Sequence, residues 1–467
     1  MNFFTFKFLY NAKSLSLLKN SKTIEHYFKR FFPSPFSIAV ILTFVVMLWA
    51  SLNMSQGSFS ENFIDVLSYW ENGIWNQSLL VFAYQMMLIL VLGHILVLSQ
   101  PMQKLLDILT APINSTAKAL VVVTVSTMFM AFLNWGLGLI FGAILVRKIG
   151  ESSAEKGFKL NYPLLGAAGY IGLMVWHGGL SGSAPLKVAE SGHLASLSQL
   201  TVPDFLSTSD TILSVENLFI FGLLLLLMPL LFLVLNRRSK SILNIDFTGS
   251  KTKSKPNQEQ IIRFEKSRWP ALIFGILVLL AFVVQYKEML LSLRLTPNML
   301  NFLMLGLAFI LHGNFHEFLK ALKTSIGDVS GILIQFPLYF GIMGVMKDSG
   351  LAINIAEFFV SISTTETLPI FTFMSAGLLN IFVPSGGGQW AIQGPIIIES
   401  SSQLNVPLPK MVMAMAYGDQ ITNMLQPFWA LPLLAITKLK AYQILPFTFW
   451  MFVIGSLIFI FGLVFIY

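Results

Sequence analysis

Residues Val383 to Pro395 read VPSGGGQWAIQGP, three consecutive glycines set between two strongly apolar arms, Leu368 to Phe382 and Ala391 to Ile398. Hydrocarbon offers no hydrogen bonds, so irregular backbone survives at membrane depth only where protein buries it or where it lines a polar cavity. Glycine lets main-chain N–H groups approach a ligand closely. A helix N-terminus adds unpaired N–H groups and the positive end of a dipole, which together hold an anion without a full positive charge. Ser385, Gly386, Gly387, Gly388 and Gln389 therefore form a candidate carboxylate site. Close helix packing accounts for isolated Gly142, Gly166 or Gly172, but poorly for a triple glycine beside Ser, Gln and Pro.

A second polar interruption has the same character. Asn134-Trp135-Gly136-Leu137-Gly138 breaks an apolar run, and Asn134, Gly136 and Gly138 could present amides to the same anion. Asp419 is an acid within a membrane segment, flanked by Gly418 and Gln420, with Asn423 four residues on and on the same helical face. Intramembrane carboxylates are costly and usually face a cavity or an ion path. Asp419 with Asn423 reads as an ion-coupling site, for a proton or for Na⁺; the bland alternative is a structural hydrogen bond. His177 heads a comparable interruption and could move protons near neutral pH; equally, it could be a polar group at the outer end of a span. His312 and His316 share a helix face, but without the HExxH order or a clear third ligand they read as structural, so no resident metal is expected.

These residues must be positioned by a membrane fold. The 467 residues are 55% hydrophobic and 11% charged, with a mean hydropathy of +0.73. That balance excludes soluble globular classes, and the long continuous apolar runs exclude a transmembrane barrel. Cysteine is absent, which excludes disulfides, thiol catalysis and thiolate metal sites. The net charge of +8 sits in loops between apolar runs, so it orients the chain and does not imply a nucleic-acid partner.

Lys and Arg accumulate in cytoplasmic loops. Residues 1–35 hold Lys7, Lys13, Lys19, Lys22, Lys29 and Arg30 against Glu25, and Asn236 to Arg268 holds nine basic residues against three acids. Both read as cytoplasmic, the second as a linker between two halves. Asn53 to Ser78 and Ser191 to Val215 carry acids and no Lys or Arg, so both read as outward-facing loops. The run Ala119 to Val146 has basic flanks at both ends, Lys104 and Lys118 before it and Arg147, Lys148, Lys156 and Lys159 after it. At 28 residues it is long for one span of ~20 residues, and a run that starts and ends on one side must turn within the bilayer. A hairpin entered from inside follows.

The two halves correspond. Asn134 and Asn380 are 246 apart; Tyr170 and Tyr417, and Pro185 and Pro432, are each 247 apart. Each half has a hairpin followed by a broken span, the second break predicted over Tyr417 to Asn423, and the charge pattern has the second hairpin entering from outside. The expected fold is an all-α polytopic membrane protein: two inverted-topology repeats with re-entrant helical hairpins and broken transmembrane helices, about nine full spans plus two hairpins. Residues 36–236 form the first repeat with hairpin 119–146. A linker spans 237–268, and 269–467 hold a further span and the second repeat with hairpin 368–399.

VPSGGGQWAIQGP, AYGDQITNMLQPFWALP (Ala416 to Pro432) and NWGLGLIFGAILVRKIG (Asn134 to Gly150) closely resemble the short-chain fatty acid transporter family, grouped with the ion transporter superfamily. The resemblance implies uptake of acetoacetate- or butyrate-like monocarboxylates across a bacterial inner membrane. It also implies a homodimer with an elevator-like motion. In superfamily relatives the hairpin tips carry a Ser-Asn-Thr signature that binds Na⁺ and carboxylate. LNWG and PSGGGQ stand there in this chain, which leaves anion binding to tip backbone.

The reading is a secondary active symporter, not an enzyme, coupled to H⁺ or Na⁺ and needing no other cofactor. The carboxylate would lie between the two tips, with the acyl tail on Trp390, Trp135 or Met424. The alternatives are another small carboxylate as substrate, a cation/H⁺ exchanger using Asp419 alone, and a membrane-embedded enzyme pairing Ser385 with His177 or His94.

Overall fold

The computed structural model describes residues 34–54, 57–198, 200–238, 263–291 and 296–467; most of the N-terminal segment and of the central linker lies outside them. The described residues are helical, with no strand among them. In chain order the helices begin with α1 (Pro35–Asn53), α2 (Phe59–Ile74), α3 (Gln77–Leu98), α4 (Gln100–Thr110), α5 (Thr116–Leu133), α6 (Trp135–Lys156) and α7 (Tyr162–Tyr170). There follow α8 (Ser183–Val188), α9 (His193–Leu197), α10 (Val215–Arg238), α11 (Arg263–Lys266), α12 (Arg268–Leu291), α13 (Pro297–His312) and α14 (Phe315–Ser325). The last are α15 (Ser330–Asp348), α16 (Leu351–Ser361), α17 (Leu368–Phe382), α18 (Gly386–Gln403), α19 (Leu408–Thr422), α20 (Pro427–Thr437) and α21 (Ala441–Phe465).

Helices α1, α3, α5, α10, α12 and α21 are long and apolar enough to cross a membrane. Their starts follow local chemistry. Ser34 caps α1 with Pro35 at its first turn, Asn76 caps α3, and Thr296 caps α13 with Pro297 behind it; short polar side chains accept the orphan N–H groups there.

At both expected tips the chain turns back between two helices, the arms of the first, α5 and α6, being longer than the expected 119–146 and α5 itself of spanning length. Asn134 ends α5 and caps α6, its Oδ1 accepting from the Leu137 N–H at 3.0 Å. Ser385 caps α18 in the same way, accepting from Gly388 N–H at 3.2 Å. The broken elements follow each unit. Helix α7 passes into a 3₁₀ turn, Ile171–Met174, and α19 into another, Asn423–Leu425.

Two sequence expectations need correction. The outward loop predicted over 53–78 contains α2, opened by a reciprocal Ser58–Glu61 capping box. Its buried residues Asn62, Val66 and Gly73 lie on one face at helical spacing, packed on α15. The acids there are a solvated face and say nothing of a loop. The break predicted over Tyr417 to Asn423 lies later, because α19 runs unbroken to Thr422. Tertiary packing holds that helix. Every residue from Met411 to Thr422 is buried, and a Cβ on Gly418 would overlap the Phe373 carbonyl of α17.

The helices pack as two groups. One comprises α1–α3 and α12–α15; the other comprises the two helical hairpins, the broken elements, α10 and α21. They meet where α3 and α15 approach α6 and α20. An aromatic seam marks that contact. Phe82 of α3 lies 6.2 Å from both Trp135 and Trp429, and Phe336 of α15 stacks on Phe428 at 4.3 Å.

Candidate functional site

On that seam lies a cavity of about 70 Å³, lined by Phe82, Trp135, Leu173, Trp176, Ser183, Ser385, Gly386, Gly387 and Trp429. This exceeds the ~10–15 Å³ needed for one water, and suits a few waters or one small organic acid. Its lining is of two kinds. The N-terminus of α18 and the hydroxyls of Ser183 and Ser385 are polar. Gly386 and Gly387 are the first two residues of α18, so their amides have no acceptor within the helix. The four rings of Phe82, Trp135, Trp176 and Trp429 are apolar, with Trp135 edge-on to Trp176 at 6.2 Å and to Trp429 at 5.3 Å.

The structure divides the sequence-derived site residues. Ser385, Gly386 and Gly387 line the cavity. Gly388 does not; its amide closes the cap on Ser385. Gln389 turns inward, donating to Ala376 O and to Gln393 Oε1, each at 2.8 Å. Trp390 packs with Ala184, Val188 and Leu194 in a separate apolar cluster and donates to His193 Nε2. Met424 is buried in the main core. At the first tip the Asn134 side chain caps α6, and a Cβ on Gly138 would overlap Ala131 within the hairpin. Gly136 faces Ile89 and Leu300. That tip reaches the cavity through the Trp135 ring instead, its amide held at 3.0 Å by Ser181 Oγ.

Behind the glycine tip stands a buried polar cluster. His177 and Asp419 are fully enclosed, and Nδ1 of the one lies 2.5 Å from Oδ2 of the other. Nε2 of His177 accepts from the Ala184 N–H at 3.0 Å. The amides of His177 and Gly178 donate to Gln420 Oε1 at 2.8 and 3.1 Å. The broken element of the first half is thereby tied to α19 by three bonds. Asn380 of α17 donates to Asp419 O at 2.7 Å, Asn423 Oδ1 at 2.9 Å and Thr422 Oγ1 at 3.0 Å. Tyr170 reaches across to Asn423 O at 2.9 Å. Asp419, Asn423 and His177 thus share one buried network.

Gly386 joins the two features. A Cβ there would sit 2.7 Å from His177 Cε1 and 2.8 Å from Trp176 Cη2, so only glycine lets the tip rest on those rings. Both ring nitrogens of His177 are occupied, so His177 cannot serve Ser385 as a general base. His312 accounts for itself with a bond to Ile95 O at 2.7 Å. No group of three potential metal ligands occurs among the described residues.

The sequence reading missed Phe82, Trp176, Ser183, Trp429, Gln420 and Asn380. Gln420 and Trp429 stood in the AYGDQITNMLQPFWALP motif, and Asn380 marked the repeat. Nothing in the sequence set Phe82 apart from the other phenylalanines.

A family model described as Short chain fatty acid transporter matches residues 16–466. A protein of Escherichia coli strain K12, named as an inferred short-chain fatty acid transporter, is 34% identical over 459 residues, covering 95% of this chain and 98% of that one. A protein of the same description from Haemophilus influenzae is 34% identical over 457 residues, covering 96% and 99%. The crystal structure of the Alcanivorax borkumensis YdaH transporter overlaps 92% of this chain and 97% of its own at 13% identity and a TM-score of 0.45, too low to bear on the path of the helices.

Proposed function

The chain belongs to the short-chain fatty acid transporter family, and on that footing we propose that it takes up acetoacetate- or butyrate-like monocarboxylates by symport with H⁺ or Na⁺. It is a multi-pass membrane protein and a transporter, not an enzyme. The observation that carries the substrate reading is the cavity's mixed lining, helix amides and hydroxyls beside aromatic rings. Amides of Gly386 and Gly387 with the hydroxyls of Ser183 and Ser385 suit one carboxylate, and the aromatic wall suits a short acyl tail. No Lys or Arg lines it, which favours a monoanion over a multiply charged acid.

Alternating access in this reading moves the hairpins and broken elements as one body against α1–α3 and α12–α15. The seam between those groups, where the cavity lies, supports that division. The hairpins enter the bilayer from opposite faces as halves of an inverted repeat, a reading supported by the 246–247 residue offsets. The working form is a homodimer in a bacterial inner membrane with a cytoplasmic N-terminus.

Uptake of labelled butyrate and acetoacetate into proteoliposomes tests the proposal, with protein-free vesicles as the blank. Saturable uptake is expected, and Ser385→Ala with Gly387→Val should abolish it while the protein stays folded. No saturable uptake of any short monocarboxylate, under pH or Na⁺ gradients, would overturn it. Trp429→Ala should lengthen the preferred acid by one or two carbons, because each buried methylene contributes ~0.8 kcal/mol, about fourfold in affinity. Competition by a series of straight-chain acids checks this; an unchanged ranking removes Trp429 from the tail site.

A further inference from the structure

The bonds around His177 fix where protons sit. The Ala184 N–H donates to Nε2, so Nε2 carries no hydrogen. Nδ1 must then hold the ring proton and donate it to Asp419 Oδ2. A neutral imidazole in that tautomer, bonded to a carboxylate, leaves the pair with one negative charge. The second oxygen, Asp419 Oδ1, is enclosed and meets no donor among the described residues. A bare carboxylate oxygen in such surroundings is costly, and it is the one basic atom of the pair left open.

We infer that Asp419 Oδ1 is where the transporter takes up one proton for each carboxylate it carries, with His177 held as the neutral donor that orients the acid. This rests on the monocarboxylate reading and names its coupling ion. Na⁺ would need several oxygens converging on it without donors of their own. Among the described residues only Asp419 Oδ1 and Gln426 Oε1 in this network meet no donor, fewer bare oxygens than a cation of that kind takes. Asn380 Nδ2 stands among Asp419 O, Thr422 Oγ1 and Asn423 Oδ1, oriented so by the carbonyl, which can only accept. Gln420 Oε1 receives two amides, and Asn423 O receives the Tyr170 hydroxyl.

The dyad is one residue removed from the cavity. Gly386 rests on the His177 ring, Trp176 stacks on it at 4.5 Å, and Ser183 precedes the alanine whose amide holds Nε2. Gly386, Trp176 and Ser183 all line the cavity. A carboxylate bound there meets the negative charge of the dyad at low dielectric. Forming the Oδ1–H bond neutralises the pair, so proton and anion favour each other's binding by the same factor. Both leave on the far side, the proton to water, and the cycle carries no net charge. The titratable groups around the dyad are phenols. Tyr170 on α7 is bonded to Asn423 O, while Tyr417 on α19 is bonded to Asn217 Oδ1 and to Tyr467 at the chain end. Glu216 on α10 acts on Tyr417 and Tyr467, and His193 lies beyond Trp390.

Equilibrium binding of labelled butyrate to the purified full-length protein between about pH 6 and 9, with and without Na⁺, tests this. Butyrate stays ionised throughout, since carboxyls titrate near ~4. The wild-type Kd should rise with pH by up to about tenfold per unit, the limit for one proton bound with each anion. Asp419→Asn, which fixes the neutral form, should bind with a Kd that does not move with pH. A pH-indicator dye in weakly buffered wild-type protein should show about one proton taken up per butyrate in that range, a readout that needs no variant. A flat wild-type pH profile with Na⁺-dependent affinity, or an Asp419→Asn protein that keeps the wild-type pH slope, overturns the proton assignment alone. Absence of binding in the wild type at every pH and salt overturns the monocarboxylate reading and this inference with it.

Discussion

His177→Ala is expected to cost about 1–3 kcal/mol of stability or more, the scale for leaving buried hydrogen-bonding groups without a partner, larger where one is charged. The substitution takes the His177 donor from Asp419 Oδ2, whose Oδ1 meets none among the described residues, and removes the acceptor for the Ala184 amide. It also opens space beneath Gly386 and Trp176, which rest on the ring. The second substitution in His177→Ala/Asp419→Ala removes the stranded carboxylate, so the double variant should be more stable than the sum of the single effects by about 1–3 kcal/mol. Thermal unfolding in detergent measures all three proteins. Additive losses would mean that the two side chains do not depend on one another.

Gly386→Val should lower butyrate affinity about a hundredfold, with a loss of stability of similar size in free energy. The added Cβ falls 2.7 Å from His177 Cε1 and 2.8 Å from Trp176 Cη2, so the tip must withdraw. A shift of about 1 Å at a site of this kind costs on the order of 10²-fold, or about 2.8 kcal/mol, and overpacking a core costs ~1–3 kcal/mol. Gly387→Ala is the control. Its Cβ would lie 3.8 Å from Ser183 Cβ, an ordinary contact, so affinity should fall modestly at most. Equal affinities for both variants, read by equilibrium binding beside a melting curve, would remove the tip from the site.

Much of the local structure was legible. Asn134 and Ser385 mark the two reversals because a short polar side chain can cap a helix only where the preceding one has ended. Long apolar runs specify spanning helices because composition and length suffice for that. The same rules misread 59–74, where three acids face solvent from a packed helix, and placed the second break too early, since polarity in α19 reflects its buried partners. Gly388, Gln389 and Trp390 adjoin Gly387 in sequence, yet helical rotation in α18 turns them away from the cavity.

From its residues alone, this chain declared its class, the two points where it turns back and the acid within an apolar stretch, because caps, hydropathy and the cost of charge in hydrocarbon act over a few residues. Folding decided that Asp419 faces His177 across 242 positions of sequence, that Phe82 and Trp429 close the same cavity, and that Gly386 touches an imidazole. Those meetings depend on how helices of opposite halves pack, and no short window of sequence contains both partners.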